Sequence, residues 1–176
     1  MTDAQDIVLT AIGSDRPGLV QALAETISRH EGNWLESSMA QLGGQFAGIV
    51  RVRLPAAQAS PLEAALSALT SLHVVTKRVA STGTPAVQRS WLLEVIGHDR
   101  PGIVHEVSQV LARHAVNVEA LDTYTSSAPM SAETLFHANA RLSGGPGIDP
   151  AAVKAALEGI STELMVEIAL DEVTDH

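Results

Sequence analysis

The 176-residue chain has no cysteine. Disulfide staples and thiolate metal sites are therefore excluded, and a reducing compartment, the cytoplasm, is expected. Aromatic residues make up only 3% of the chain, while hydrophobic residues of all kinds make up 45%. The cores must then be built from leucine, valine, isoleucine and alanine. No apolar run approaches the roughly 20 residues that span a bilayer, so no membrane segment is expected. The start, Met1-Thr2-Asp3-Ala4-Gln5-Asp6, lacks the basic-then-apolar layout of a secretory signal. Positive charge is scarce, with 11 basic side chains against 20 acidic ones. The deficit falls on one half. Residues 1–84 carry 6 basic and 7 acidic groups, net −1, whereas residues 85–176 carry 5 and 13, net −8. The second half would repel a phosphate backbone, which argues against direct nucleic-acid contact. No Gly-x-Ser-x-Gly elbow, Walker glycine loop or dinucleotide fingerprint is present.

What is present is a repeat. Gly13-Ser14-Asp15-Arg16-Pro17-Gly18 returns 84 positions later as Gly97-His98-Asp99-Arg100-Pro101-Gly102. The register holds without a gap, and 11 positions are identical between 6–39 and 90–123. A register that long points to duplication of a whole folding unit. Two units are expected over 5–80 and 89–172, with a breaker-rich linker over 81–88.

The pattern within each unit predicts β-α-β-β-α-β. In the first, residues 6–12 read as a strand and Pro17 suits the first position of a helix. Leu19, Val20, Leu23, Ala24 and Ile27 recur at helical spacing, and Gly32 is placed as the helix C-terminal cap. Strands over 33–42 and 45–54 flank a Gly43-Gly44 hairpin turn. Ser60, Pro61 and Glu63 approach a capping box for a second helix with a Leu62, Leu66, Leu69 stripe. A strand over 73–80 completes the unit. The second unit repeats the plan, with strands at 90–96, 117–126, 133–142 and 162–171 and helices at 101–114 and 150–159. Its hairpin is replaced by a longer loop over 126–131. The fold class is α+β: two ferredoxin-like units, each an antiparallel sheet with helices on one face. The other sheet face is left for solvent or a partner.

The loop after each first strand is the candidate site. A helix start offers unpaired N–H groups and a partial positive charge. The donors come from around Gly18, Leu19 and Val20, and from Gly102, Ile103 and Val104. A carboxylate would be held there, and Asp15 or Asp99 could accept from an ammonium group. That pairing describes a free α-amino acid. Plain helix capping accounts for the same residues. Arg16 and Arg100 fit either solvation or an ion pair. Arg29-His30 and Arg113-His114 lie at helix C-termini, where cations suit the dipole. The seven histidines form no His-x-x-x-His pair, so neither a metal nor another cofactor is expected. His137 lies on a polar strand face with Asn139 and Arg141, with no nucleophile placed beside it.

These units resemble tandem ACT domains, each with Gly-x-Asp-Arg-Pro-Gly after its first strand and Asn at the start of its second. The run from Gly32 to Phe46 (Gly-Asn-Trp-Leu-Glu-Ser-Ser-Met-Ala-Gln-Leu-Gly-Gly-Gln-Phe) is similar to the glycine cleavage system transcriptional repressor group. The resemblance covers about 6–172. It implies a non-enzymatic sensor that binds a small amino acid such as glycine and acts through a protein partner, a transcription activator. Homo-oligomers are expected. An alternative is a regulatory subunit of an amino-acid metabolic enzyme. The ligand set it implies is Gly13, Asp15, Pro17, Gly18, Leu19 and Asn33, with Gly97, Asp99, Pro101, Gly102, Ile103 and Asn117 in the repeat. Asn33 and Asn117 open the next strand beyond the far end of the helix, so they are expected either to reach a ligand across a subunit or domain junction or to fix the strand start locally. Many serine-binding ACT domains carry His two positions before the acidic residue of this loop, where both copies here have Gly.

Overall fold

The computed structural model describes residues 3–80, 88–127 and 133–173. The expected linker therefore lies, but for Gln88, outside the described residues, as does most of the longer loop. The chain divides into two compact units, residues 1–83 and 84–176.

The first unit runs β1 (Ala4–Ser14), α1 (Leu19–Arg29), β2 (Asn33–Leu42), β3 (Gln45–Pro55), α2 (Ala59–Ser67) and β4 (His73–Val79). The second runs β5 (Arg89–His98), α3 (Ile103–Arg113), β6 (Asn117–Ser127), β7 (Thr134–Gly144), α4 (Pro150–Leu164) and β8 (Val166–Val173). Each sheet has four antiparallel strands, ordered β2-β3-β1-β4 and β6-β7-β5-β8. Each is a ferredoxin-like α+β unit, as the strand and helix pattern predicts. No helix among the described residues is long and apolar enough to cross a membrane.

The helices form because their apolar residues recur on one face. In α1 the buried positions are Leu19, Leu23, Thr26 and Ile27, and in α3 they are Ile103, Val107, Val110 and Leu111. Those i, i+4, i+7, i+8 stripes close on alternate strand residues. Ile7, Leu9 and Ala11 from β1 and Val50, Val52 and Leu54 from β3 are at most 2% exposed. Leu93, Val95, Ala138, Ala140 and Leu142 are the buried strand residues of the second core. Burying one such leucine contributes about 1.5–3 kcal/mol.

Four local expectations need correction. Pro17 and Pro101 do not open their helices. They sit in turns ahead of them, and Gly18 and Gly102 are the N-caps, with φ 93° and 102°. Proline followed by a left-handed glycine is the type II turn, which only glycine enters without strain. Gly32 is not the C-terminal cap. Glu31 takes the left-handed conformation (φ 57°), as do Ala115 (φ 55°) and Met165 (φ 52°). Gly32 is instead a close approach, since a Cβ there would come within 2.9 Å of both Ile27 and Val52. Ser60 does not cap α2, which begins at Ala59 after a 3-10 turn over Ala56–Gln58. Its hydroxyl accepts a bond from Arg78 instead, which also pairs with Glu63. Finally, α4 persists to Leu164, whose side chain is buried by the helix, and β8 starts only at Val166. The start of α4 agrees with expectation: Pro150 leads it, and the Asp149 carboxylate accepts from the Ala151 N–H at 3.0 Å.

The sheet faces away from the helices differ between the units. On the first, Val8, Thr10 and Ile12 of β1 stand in register with Arg51, Ile49 and Ala47 of β3 and with Lys77, Val75 and His73 of β4. Ile12, Ile49 and Val75 are 46%, 49% and 58% exposed. Asp6 also lies on this face, yet it is wholly covered. Arg51 donates to it from Nε and Nη2 at 3.1 and 2.7 Å, and Arg53 from the same pair of nitrogens at 2.7 and 3.0 Å. The Arg53 bonds, with those of Arg51, hold the Asp6 carboxyl down to about 2, against the opposing effect of its burial. On the second face the middle row is Asp122, Asn139, Glu94 and Ala169, and the next is Ala120, Arg141, Leu92 and Asp171.

Inside, one furrow is treated differently. Between α1 and β2 the first unit places Trp34 and Met39 against its core, with Gly48 opposite Met39. The positions 84 residues on are Val118 and Thr123, with Ala138 opposite Thr123. There the furrow stays open, lined by Val104, Val107, Val118, Leu121 and Phe136.

Candidate functional site

In each unit β1 or β5 delivers the loop to one end of the sheet. The loop is pinned by one backbone bond: Asp15 N–H donates to the Gly44 carbonyl and Asp99 N–H to the Thr134 carbonyl, both at 2.9 Å. Gly13 and Gly97 are explained by packing. A Cβ on Gly13 would strike the Ser71 carbonyl oxygen, and one on Gly97 the Met165 carbonyl oxygen. That close approach accounts for Gly where some ACT domains carry His. By contrast, a Cβ on Gly18 or Gly102 would meet nothing within 4 Å. The space above both helix starts is open to an incoming molecule.

Those helix starts are not capped by side chains. Asp15 and Asp99 are exposed, and neither helix has a side-chain cap. The first in-helix bonds are Ala22 N–H to Gly18 O at 2.9 Å and Glu106 N–H to Gly102 O at 3.0 Å. The amides of Leu19, Val20 and Gln21, and of Ile103, Val104 and His105, precede them. Leu19 and Ile103 turn their side chains into the cores, at 3% exposure each, and offer only backbone.

The two copies diverge in their arginine. Arg16 is exposed, whereas Arg100 is half-buried with its Nε covered and without a hydrogen-bond partner. Arg100 lines a recess of about 140 Å³ with Pro101, Gly102, Glu106, Ile160, Glu163 and Leu164. Sequence reading did not find the glutamates. They are brought to the loop by the turn of α3 and by the last turn of α4, whose length was underestimated. Asp99 does not line this recess. In the first unit, Ile12, Gly13 and Ser14 border a wider recess of about 630 Å³ with the segment from Ser67 to Val74.

Asn33 and Asn117 lie elsewhere. Asn33 stands opposite Arg53 while Gly13 stands opposite Phe46. Seven residues of β3 separate the partners, roughly 24 Å at ~3.4 Å per residue. Asn117, opposite Ser143, is as far from Gly97, opposite Phe136. Within one unit the asparagines and the loop are at opposite ends of the sheet.

The remaining polar candidates are accounted for locally. His30 Nδ1 lies 2.8 Å from the Thr26 carbonyl, and Arg29 pairs with Glu25 one turn back. His137 does have a hydroxyl beside it, contrary to expectation: Ser126 Oγ is 2.8 Å from its Nε2. The imidazole also stacks on Tyr124, with centroids 4.5 Å apart and planes 3° from parallel. Pairing of β6 with β7 puts Tyr124 directly across from His137, a cross-strand contact invisible to spacing along the chain. Among the described residues no three His, Asp or Glu side chains come together as a metal cage.

A small ferredoxin-like unit, duplicated, with the same glycine-cornered loop and helix start in each copy, defines the chain as a tandem-domain protein of the regulatory class. The chain belongs to the ACT-domain family, with ACT domains matched over residues 5–79 and again over 91–156. It is 25% identical over 170 residues to the glycine cleavage system transcriptional repressors of Escherichia coli K12 and Shigella flexneri, covering 95% of this chain and 90% of each relative. The crystal structure of an unknown protein from Galdieria sulphuraria is 35% identical, with a TM-score of 0.83 over 98% of this chain and all of that one.

Proposed function

We propose that the chain is a non-enzymatic cytoplasmic sensor of a small amino acid, glycine or one close to it in size. It acts on transcription through a protein partner and not by touching DNA. The likeness to the glycine cleavage repressors supplies the regulatory field. The single observation that carries the ligand is Arg100. Its side chain lines the recess, where the guanidinium can form a charge-assisted pair with an entering carboxylate. The uncapped amides beside Gly102 add donors for the same carboxylate. Glu106 and Glu163 supply acceptors for the ammonium end. The size fits: a cavity of about 150 Å³ accepts benzene, and glycine is smaller. The acidic second unit keeps the protein off nucleic acid.

Calorimetric titration with each standard amino acid tests this reading. Saturable binding of glycine is expected, weakened about tenfold or more in Arg100→Ala, as the loss of one charge-assisted pair predicts. Indifference to every amino acid overturns it. Affinity capture with the ligand present is expected to recover a transcription regulator. Recovery of a metabolic enzyme alone transfers the sensor to that enzyme.

A further inference from the structure

The sheet faces that turn away from the helices carry complementary character. The first unit's face presents Arg51, Arg53 and Lys77 against Asp6 and Glu36, three cations to two carboxylates, around an apolar centre of Ile12, Ile49 and Val75. The second unit's face presents Glu94, Asp122, Glu167 and Asp171 against Arg141, four carboxylates to one cation. Its apolar contributors, Leu92 and Tyr124, are 53% and 55% exposed. Duplication made these faces equivalent, and substitution at matched positions gave them opposite sign: Thr10 answers to Glu94, Ser38 to Asp122 and, across from Val8 and Leu92, Lys77 to Asp171.

We infer that these faces are the two halves of one interface between copies of this chain: the basic-apolar sheet face of one first unit docks on the acidic sheet face of a second copy's second unit. A chain that carries both halves is its own best-matched partner. The area supports a reciprocal contact. Four strands at ~4.8 Å by about seven residues at ~3.4 Å give a face of roughly 450 Å². One contact then buries about 900 Å² in all, short of the ~1,200–2,000 Å² of a stable complex, while two contacts used in opposite directions bury about 1,800 Å². The inference is independent of the ligand reading, and its test uses protein without amino acid.

Sedimentation velocity of the full chain over a wide concentration range is the measurement. A reversible dimer is expected. Lys77→Glu and Asp171→Lys should each weaken it about tenfold, and both side chains are exposed, so thermal melts should confirm intact folding. The decisive arm mixes the two single variants. In a mixed pair one contact sets Glu at 77 near Lys at 171 and the other is unaltered, so dimerisation should return to within about threefold of the parent. A chain that stays monomeric, a dimer indifferent to both substitutions, or a mixture no stronger than its components each overturns the inference.

Discussion

The two units agree where the chain turns and differ where it meets its surroundings. Both place Asp-Arg-Pro-Gly at the same sheet end, pin it by the same Asp amide and start a helix with the same buried spacing. Yet the first fills the furrow beside that helix with Trp34 and Met39, where the second has Val118 and Thr123. The first covers Asp6 with two arginines, where the second has Ser90 and Ser143 at the matched pair. Backbone geometry allows few residues at a type II turn or a helix stripe, so those positions persist. Side-chain volume can be exchanged between neighbours, so those positions drift in compensating pairs.

The largest expected effect separates the cores. Leu23 is fully buried, and its match in the second unit, Val107, is 7% exposed. Leu23→Ala should destabilise the first unit by about 3–5 kcal/mol in urea titration, and Val107→Ala the second by less. The transition must be fitted unit by unit, since two units need not unfold together.

Next is the pair Met39 and Gly48. A methyl on Gly48 would come within 2.7 Å of Met39 Cγ. Gly48→Ala alone should cost about 1–3 kcal/mol by overpacking. Adding Met39→Thr installs the second unit's combination and should recover much of that loss. A double-mutant cycle without positive coupling would break the compensating-pair account.

Asp6 gives a pH signature that its serine counterpart cannot. Its carboxyl is held at about 2, from 3.8, first by Arg53. A depressed acid stabilises the fold fully above its unfolded value and loses that contribution as pH falls from about 4 toward 2. Asp6→Ser should lower the first unit's melting temperature at neutral pH by about 5 °C and flatten its acid limb over that window. Unchanged acid behaviour would show that the arginine clasp contributes little.

The smallest effect concerns Trp91, matched by Ile7. Its Nε1 is buried without a partner, and the Arg89 guanidinium sits 5.6 Å from its ring centroid. Trp91→Phe loses volume but also removes an unsatisfied donor, so the net change should stay near 1 kcal/mol or below by chemical denaturation.

Much of this was legible along the chain. Strict alternation in 45–54 fixed β3 and its buried face, and the 84-residue register carried the reading into the second unit. The misreadings arose where two periods overlap. Leu164 continues a two-residue alternation with Val166, Ile168 and Leu170, yet it also lies seven after Leu157 on the α4 stripe. The helix wins because Leu164 is buried there, and Met165 then reverses the chain. Pro17 fits either a helix start or a type II turn, and the left-handed Gly18 decides for the turn. The recess beside Gly102 had no local signal, because Arg100, Glu106 and Glu163 converge only through packing of α3 on α4.

The three side-chain-bearing residues held left-handed at helix ends, Glu31, Ala115 and Met165, are also an opportunity. Glycine is the residue this conformation favours, and relieving each strain should return about 1 kcal/mol. A triple glycine variant is thus a route to a heat-hardened protein for crystallisation or biosensor work. It gets there without altering Arg100, Glu106, Glu163, Lys77 or Asp171.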